Sequence, residues 1–167
     1  MDLYLLRHGL AVEFGVDGFT RDAERPLTDK GKTKLRKIAA AMKTLELEFA
    51  LILSSPYVRA RQTAEIIAEE LHIRKRIELS DTLTPGGDQK KLIELLNRFT
   101  PEPEHVLLVG HEPHLSEFIS LLVSGRRGFS VTMKKAGLCK LSLAALHFGR
   151  CASLEWLLTP GQMALIA

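Results

Sequence analysis

Three polar clusters interrupt apolar runs in this 167-residue chain, and each carries residue types suited to handling a phosphoryl group. Arg7-His8-Gly9 follows Leu3-Tyr-Leu-Leu6. Ser54-Ser55-Pro56 follows Ala50-Leu-Ile-Leu53, with Arg59 and Arg61 just beyond. Gly110-His111-Glu112-Pro113 follows Val106-Leu-Leu-Val109. A phosphoryl group in transfer spreads charge over three equatorial oxygens that need stabilising. Arginine stays charged and presents a planar fork of donors. A histidine with one unprotonated ring nitrogen can act as a nucleophile. Gly9 lets the chain turn and bring backbone close to a substrate. Arg59 and Arg61 are two residues apart on a helix, so only one of them points easily at a given site.

Taken singly, each cluster also has an ordinary reading: polar loop surface for Arg7-His8, helix surface for Arg59 and Arg61, and a hydrogen-bonded structural histidine for His111. His111-Glu-Pro-His114 does not have the spacing of a helical zinc pair, and Pro113 interrupts a helix there, so no metal site is expected. His72, His105 and His147 sit in helix or strand contexts without polar company and receive no role. Cys139 and Cys151 lie in apolar, strand-like segments and read as core.

The clusters must be positioned by regular elements. Leu3–Leu6, Ala50–Leu53 and Val106–Val109 are continuous apolar runs, as strands buried on both faces would be. Ile77-Glu-Leu79 is a short strand candidate, and residues 10 to 26 read as a loop. Thr28 can cap a helix presenting Leu35, Ile38, Ala39, Met42 and Leu45. Ser55-Pro56 forms a cap and first-turn pair for a helix carrying Ala60, Ala64, Ile67, Ala68 and Leu71; its N-terminus favours anions. Asp88 can cap a helix with Leu92, Leu95, Leu96 and Phe99. Leu115, Phe118, Ile119, Leu122 and Val123 mark a further helix. From about Phe129 the chain is β-rich, around Leu138–Leu141 and Ser153–Leu158. Alternating strands and helices imply an α/β fold, a mostly parallel sheet covered on both faces, with ligands at the carboxyl ends of the strands. If the three apolar strands are neighbours, their polar ends converge on one pocket.

The length fits one domain, taken as residues 1–167. The net charge is only +3, too small an excess for a nucleic-acid footprint. The densest basic stretch, Lys30 to Lys37, lacks interleaved aromatics and reads as a solvated helix face. Two cysteines do not make a disulfide framework. No apolar run reaches membrane-spanning length, and no leader pattern opens the chain, so a cytoplasmic protein without membrane attachment is expected.

Together the clusters resemble the histidine phosphatase superfamily, which includes the phosphoglycerate mutases. The resemblance rests on Arg7-His8-Gly9 after a first strand, on Ser54-Ser55-Pro56-Tyr-Val-Arg59-Ala-Arg-Gln62-Thr63-Ala64, and on Gly110-His111, in that order. It implies a three-layer α/β/α, phosphoglycerate mutase-like fold. It implies that His8 is the catalytic nucleophile, and that Arg7, Arg59 and His111 complete the phosphate pocket; Arg61 is not carried over. No metal or organic cofactor is implied. Arg25-Pro-Leu-Thr28-Asp-Lys-Gly31 and Leu83-Thr-Pro85-Gly-Gly-Asp88 are similar to the SixA type of phosphohistidine phosphatase.

The resemblance further implies two in-line displacements through a phosphorylated His8. Relatives that cleave alcohol phosphates carry a carboxylate after the third strand, where this chain has Thr82-Leu83-Thr84-Pro85. General-acid help is commonly worth about a hundredfold or more for a poor leaving group, whereas imidazole departs readily once protonated. The expected substrate is therefore phosphohistidine on a protein. Two other readings stand beside it: hydrolysis of small phosphate esters with Asp81, Asp88 or Glu13 as acid, and a non-catalytic phosphate-binding adaptor. The carboxylates Glu13, Asp17, Asp22, Asp81 and Asp88 are expected to be solvated or to cap helices.

Overall fold

The computed structural model of the chain describes residues 1–73 and 77–167. Its strands are β1 (Asp2–Arg7), β2 (Leu51–Ser54), β3 (Ile77–Leu79), β4 (His105–Gly110), β5 (Leu138–Leu143) and β6 (Ala152–Leu158). The helices are α1 (Asp29–Thr44), α2 (Val58–Glu70), α3 (Gln89–Leu96), α4 (His114–Ser124) and α5 (Pro160–Ile166). The strands form one sheet in the order β3-β2-β4-β1-β5-β6. β1 to β4 run parallel, β5 is antiparallel to β1, and β6 is antiparallel to β5. The apolar runs of β2, β4 and β1 are thus adjacent, as convergence of their polar ends requires.

Two apolar cores follow from the period-two alternation of the strands. Leu3 and Leu5 of β1, Leu51 and Leu53 of β2, and Val106 and Leu108 of β4 pack against Leu92 and Leu96 of α3 and Leu115, Phe118 and Leu122 of α4. Tyr4 and Leu6, with Ile52, Leu107 and Val109, face Leu35 and Ile38 of α1, Ala64 and Ile67 of α2 and Met163 of α5. The result is the expected three-layer α/β/α arrangement. A strand apolar on both faces would tolerate a one-residue slip, so its charged ends must set the register. Asp2 is held by Lys140 at 2.9 Å and faces His105 at 3.6 Å. At the other end the Arg7 amide donates to Gly137 O and the His8 amide to Gly110 O. A slip would drag one of these ends into the core and leave it unpaired.

The caps at Thr28 and Asp88 form as expected: Thr28 accepts from the Gly31 amide, and Asp88 from those of Lys90 and Lys91. Ser55-Pro56 does not cap α2, which begins at Val58 with Tyr57 at its N-cap and no side-chain cap bond. Ser55 is instead drawn to a histidine described below. Leu45 lies past the end of α1, exposed, and Phe99 lies past the end of α3. α5 is a helix beyond those expected from the apolar periodicity. Thr159 and Gln162 form a capping box around Pro160, a signal present in the sequence. His105 has polar company in Asp2, and His72 and His147 lie outside helices and strands. Cys139 is buried as expected, but Cys151 is only partly so and precedes β6.

Candidate active site

The carboxyl ends of β1, β2 and β4 deliver Arg7-His8, Ser54-Ser55 and Gly110-His111 to one place. The ladder continues past the strands, with the Ser55 amide donating to Val109 O and the His8 amide to Gly110 O. His8 and His111 are buried, their ring centroids 5.0 Å apart. The geometry fixes the His8 tautomer. Its Nδ1 lies 2.8 Å from Gly9 O, and a carbonyl only accepts, so Nδ1 carries the proton. Nε2 is therefore unprotonated and accepts from Arg59 Nε at 3.2 Å. Burial, with the adjacent charges of Arg59, Arg7 and Lys135, pushes the His8 pKa down to about 3 and keeps the ring neutral.

Arg59 lies in the first turn of α2, and its side chain is 4% exposed. It donates Nη1 to Asp22 O at 2.6 Å and Nη2 to Asp22 Oδ2 at 2.9 Å, so all of its nitrogens are engaged. A guanidinium this buried needs such partners. Arg61 points elsewhere: it is exposed and lies 3.5 Å from Glu65, one turn along the helix. The separation of the two arginines onto different faces follows the expected register.

Asp22 corrects the expectation of a merely solvated loop carboxylate. It also accepts from Arg25 Nε at 2.9 Å and Nη2 at 2.6 Å. Burial raises its pKa, but hydrogen bonds and charge from Arg59 and Arg25 outweigh that and leave the carboxyl below its ordinary value. Glu112, which follows His111, favours the charged form of Arg7 and accepts from the Ser116 amide at 3.2 Å. Asp88 caps α3, and Asp81, Glu13 and Asp17 are exposed.

Arg7 donates Nη1 to Met133 O at 2.7 Å, and its Nε is buried without a partner among the described residues. His111 Nε2 lies 2.8 Å from Ser55 Oγ, while its Nδ1 is buried and equally unpartnered. Burial, then the neighbouring His8 and Arg59, push the His111 pKa down to about 3. Tyr57 walls the site, its ring 5.1 Å from that of His111 and 5.3 Å from the Arg59 guanidinium. His114 stacks on Phe118, their ring centroids 6.5 Å apart.

Three supporting residues have defined contacts, two of them, Gln62 and Thr63, quoted in the sequence only as part of a motif. Thr63 Oγ1 accepts from the Gly9 amide at 3.1 Å and donates to Arg59 O at 2.7 Å, tying α2 to the end of β1. Gln62 Oε1 accepts from the Leu27 amide at 2.8 Å. Ser55, read as a helix cap, holds His111. Gly9 is needed for space: a Cβ there would stand 2.8 Å from Leu35 Cδ1. Gly31 is more constrained, since its Cβ would lie 2.2 Å from Leu10 O, the carbonyl that accepts from Thr28 N.

On fold and site, the chain is of the α/β class that gathers cationic and imidazole groups at the ends of parallel strands to hold an oxyanion. The sequence model of the histidine phosphatase superfamily (branch 1) matches residues 3–85. The phosphohistidine phosphatase SixA of Escherichia coli K12 is 32% identical over 126 residues, covering 75% of this chain and 76% of SixA. A solved structure of the protein histidine phosphatase SixA with tungstate superimposes with a TM-score of 0.80 at 27% identity, over 96% of this chain and 98% of that one. A phosphoserine phosphatase variant from Entamoeba histolytica, bound to phosphoserine, shares the fold with a TM-score of 0.69 at 17% identity, over 96% and 98% of the two chains. The chain belongs to the histidine phosphatase superfamily and is a SixA-like phosphatase. Among the described residues no helix is long and apolar enough to cross a membrane.

Proposed function

We propose that this phosphatase removes the phosphoryl group from phosphohistidine carried by a protein, through a covalent intermediate on His8. The observation that carries the reading is the His8 tautomer: Nδ1–H fixed on Gly9 O, and the Nε2 lone pair facing Arg59. In the first step Nε2 bonds to phosphorus as the bond from phosphorus to the substrate nitrogen breaks, and the departing imidazole takes a proton from solvent. Water then attacks phosphorus, the bond to Nε2 breaks, and neutral His8 returns with the proton passing to solvent.

Phosphoryl oxygens would take over donors held by Asp22 and satisfy the buried Nε of Arg7. Ser55 orients the second histidine. Its oxygen accepts from the Tyr57 amide, and its proton donated to His111 Nε2 would leave Nδ1–H as a donor to the transferring group. Binding of the phosphoryl group would exchange Asp22 for its oxygens on Arg59 and free the Nε2 lone pair of His8 from Arg59 Nε, leaving the donors aimed at the transferring group.

The phosphohistidine preference is supported by the state of Asp22, the carboxylate held against Arg59. Two arginines hold Asp22 ionised, which makes it a poor proton donor. Without an acid, rates follow how well the leaving group departs unaided. The test is kcat/KM for a phosphohistidine peptide, an aryl phosphate and an alkyl phosphate. The expected order is phosphohistidine, then aryl, then alkyl. A flat dependence that becomes steep in Asp22→Asn would identify Asp22 as a general acid and remove the argument for phosphohistidine.

A further inference from the structure

Beside Arg7 the surface opens into a cleft of about 440 Å³ between α1, α5 and the segment preceding β5, walled by Lys30, Lys34, Lys134 and Lys135. Its floor is apolar, from Leu10 and Pro160. A second cleft of about 370 Å³ shares Lys30, Lys34 and Pro160 with the first and continues past Lys37 and Ile38 to Ala164. The two form one track that starts at Arg7 and leads away from it along the seam of α1 and α5.

No carboxylate lines either cleft, and α5 has no charged residue. Among the described residues none of the five lysines makes an ion pair, whereas neighbouring cations do: Lys32 with Asp29, Arg36 with Glu70 and Arg61 with Glu65. The whole chain has a net charge of only +3, so this track holds more uncompensated charge than the molecule as a whole. Lys30, Lys34 and Lys37 follow helical spacing on one face of α1. Lys134 and Lys135 are carried on the segment whose Ala136 amide donates to Arg7 O at 3.0 Å, so the track is anchored to the end of β1.

We propose that this track docks an acidic segment of the substrate protein next to its phosphorylated residue, with carboxylates against the lysines and an apolar side chain over Leu10 and Pro160. The inference rests on the protein-substrate reading above. A folded or extended segment entering the site past Arg7 would reach Lys134 and Lys135 first and the α1 lysines after them. Exposed lysines are mobile and hydrated, so they contribute attraction and orientation at encounter more than tight binding, and salt weakens them.

The experiment uses two phosphohistidine peptides that differ only in flanking residues, aspartate and glutamate in one, asparagine and glutamine in the other. Their unphosphorylated forms carry a fluorophore for anisotropy. At about 50 mM salt the acidic peptide should bind, and should be hydrolysed with kcat/KM about tenfold above the neutral one; both advantages should fade at about 0.5 M salt. The variant Lys30→Glu/Lys34→Glu/Lys37→Glu changes exposed positions of α1 and should erase or invert the preference, while kcat/KM for an aryl phosphate stays within about twofold. Equal binding of the two peptides, or a preference that survives the charge reversal, overturns the docking proposal. So does tighter binding of a single-stranded oligonucleotide than of the acidic peptide, which assigns the track to nucleic acid. If the acidic peptide binds through the lysines but neither phosphohistidine peptide is cleaved while the aryl phosphate is, docking stands and the phosphohistidine reading falls.

Discussion

Arg59 and Lys34 are both cations on helices of the same face of the sheet, and they are held in opposite ways. Arg59 is buried, with every nitrogen engaged by His8 or Asp22. Lys34 is exposed and, among the described residues, has no ion pair, and the same holds for its neighbours along the track. Burying a charge costs several kcal/mol unless it is paired, so a buried guanidinium is retained where fixed donor geometry matters. An exposed ammonium carries no such cost and no such geometry. The difference fits the two roles proposed for them, a fixed guanidinium for charge in transfer and a mobile ammonium for attracting a partner.

The largest effect expected from this comparison is at Arg59. Arg59→Ala should lower kcat/KM for any phosphorylated substrate by about a hundredfold to a thousandfold, on the order of 3–4 kcal/mol. Arg61→Ala, which removes only an exposed contact with Glu65, should stay within about twofold. Similar losses in the two variants would erase the distinction between fixed and mobile charge.

Next comes the response to acid. His8 and His111 have folded pKa values of about 3 against an ordinary 6.5, so between those values the unfolded chain binds more protons. Stability should therefore fall as pH drops from about 6.5 toward 3, by up to about 1.4 kcal/mol per pH unit for each histidine. Denaturant unfolding at a series of pH values measures this slope. His111→Asn should flatten it, and Lys34→Glu should not. An unchanged slope in His111→Asn would mean that His111 is not held neutral by burial.

A smaller effect is expected at Asp22, which is 45% exposed. It competes with an anion for Arg59, and a half-exposed pair of this kind is worth about 1 kcal/mol. Asp22→Asn should therefore tighten binding of inorganic phosphate by roughly fivefold, measured calorimetrically. Weaker binding in the variant would show that Asp22 positions Arg59 rather than competing for it.

The convergence of Arg7, His8, Arg59 and His111 was legible because each lies just beyond an apolar run or in the first turn of the helix that follows, where the chain leaves the core at the carboxyl ends of the strands. Contacts that join residues far apart in sequence were not legible. Ser55 bonds His111 across 56 positions and Asp22 bonds Arg59 across 37, and nothing local distinguishes such a serine from a cap or such an aspartate from a loop residue. Gln62 and Thr63 reach back to Leu27 and Gly9 in the same way. α5 is different: Thr159, Pro160 and Gln162 announced its start, but the helix is short and follows a strand-rich stretch. The basic run from Lys30 to Lys37 was readable as a helix face, while its neighbours across the cleft, Lys134 and Lys135, come together with it only through the fold.

The central claim is that the phosphoryl group passes through Nε2 of His8. Rapid alkaline quenching during turnover of a phosphohistidine peptide, followed by peptide mapping by mass spectrometry, tests it directly. The expected result is one acid-labile, alkali-stable phosphoryl group on His8, formed and lost at rates matching turnover, and no turnover in His8→Ala. Turnover without that species, a phosphoryl group on another residue, or substantial activity in correctly folded His8→Ala would contradict it.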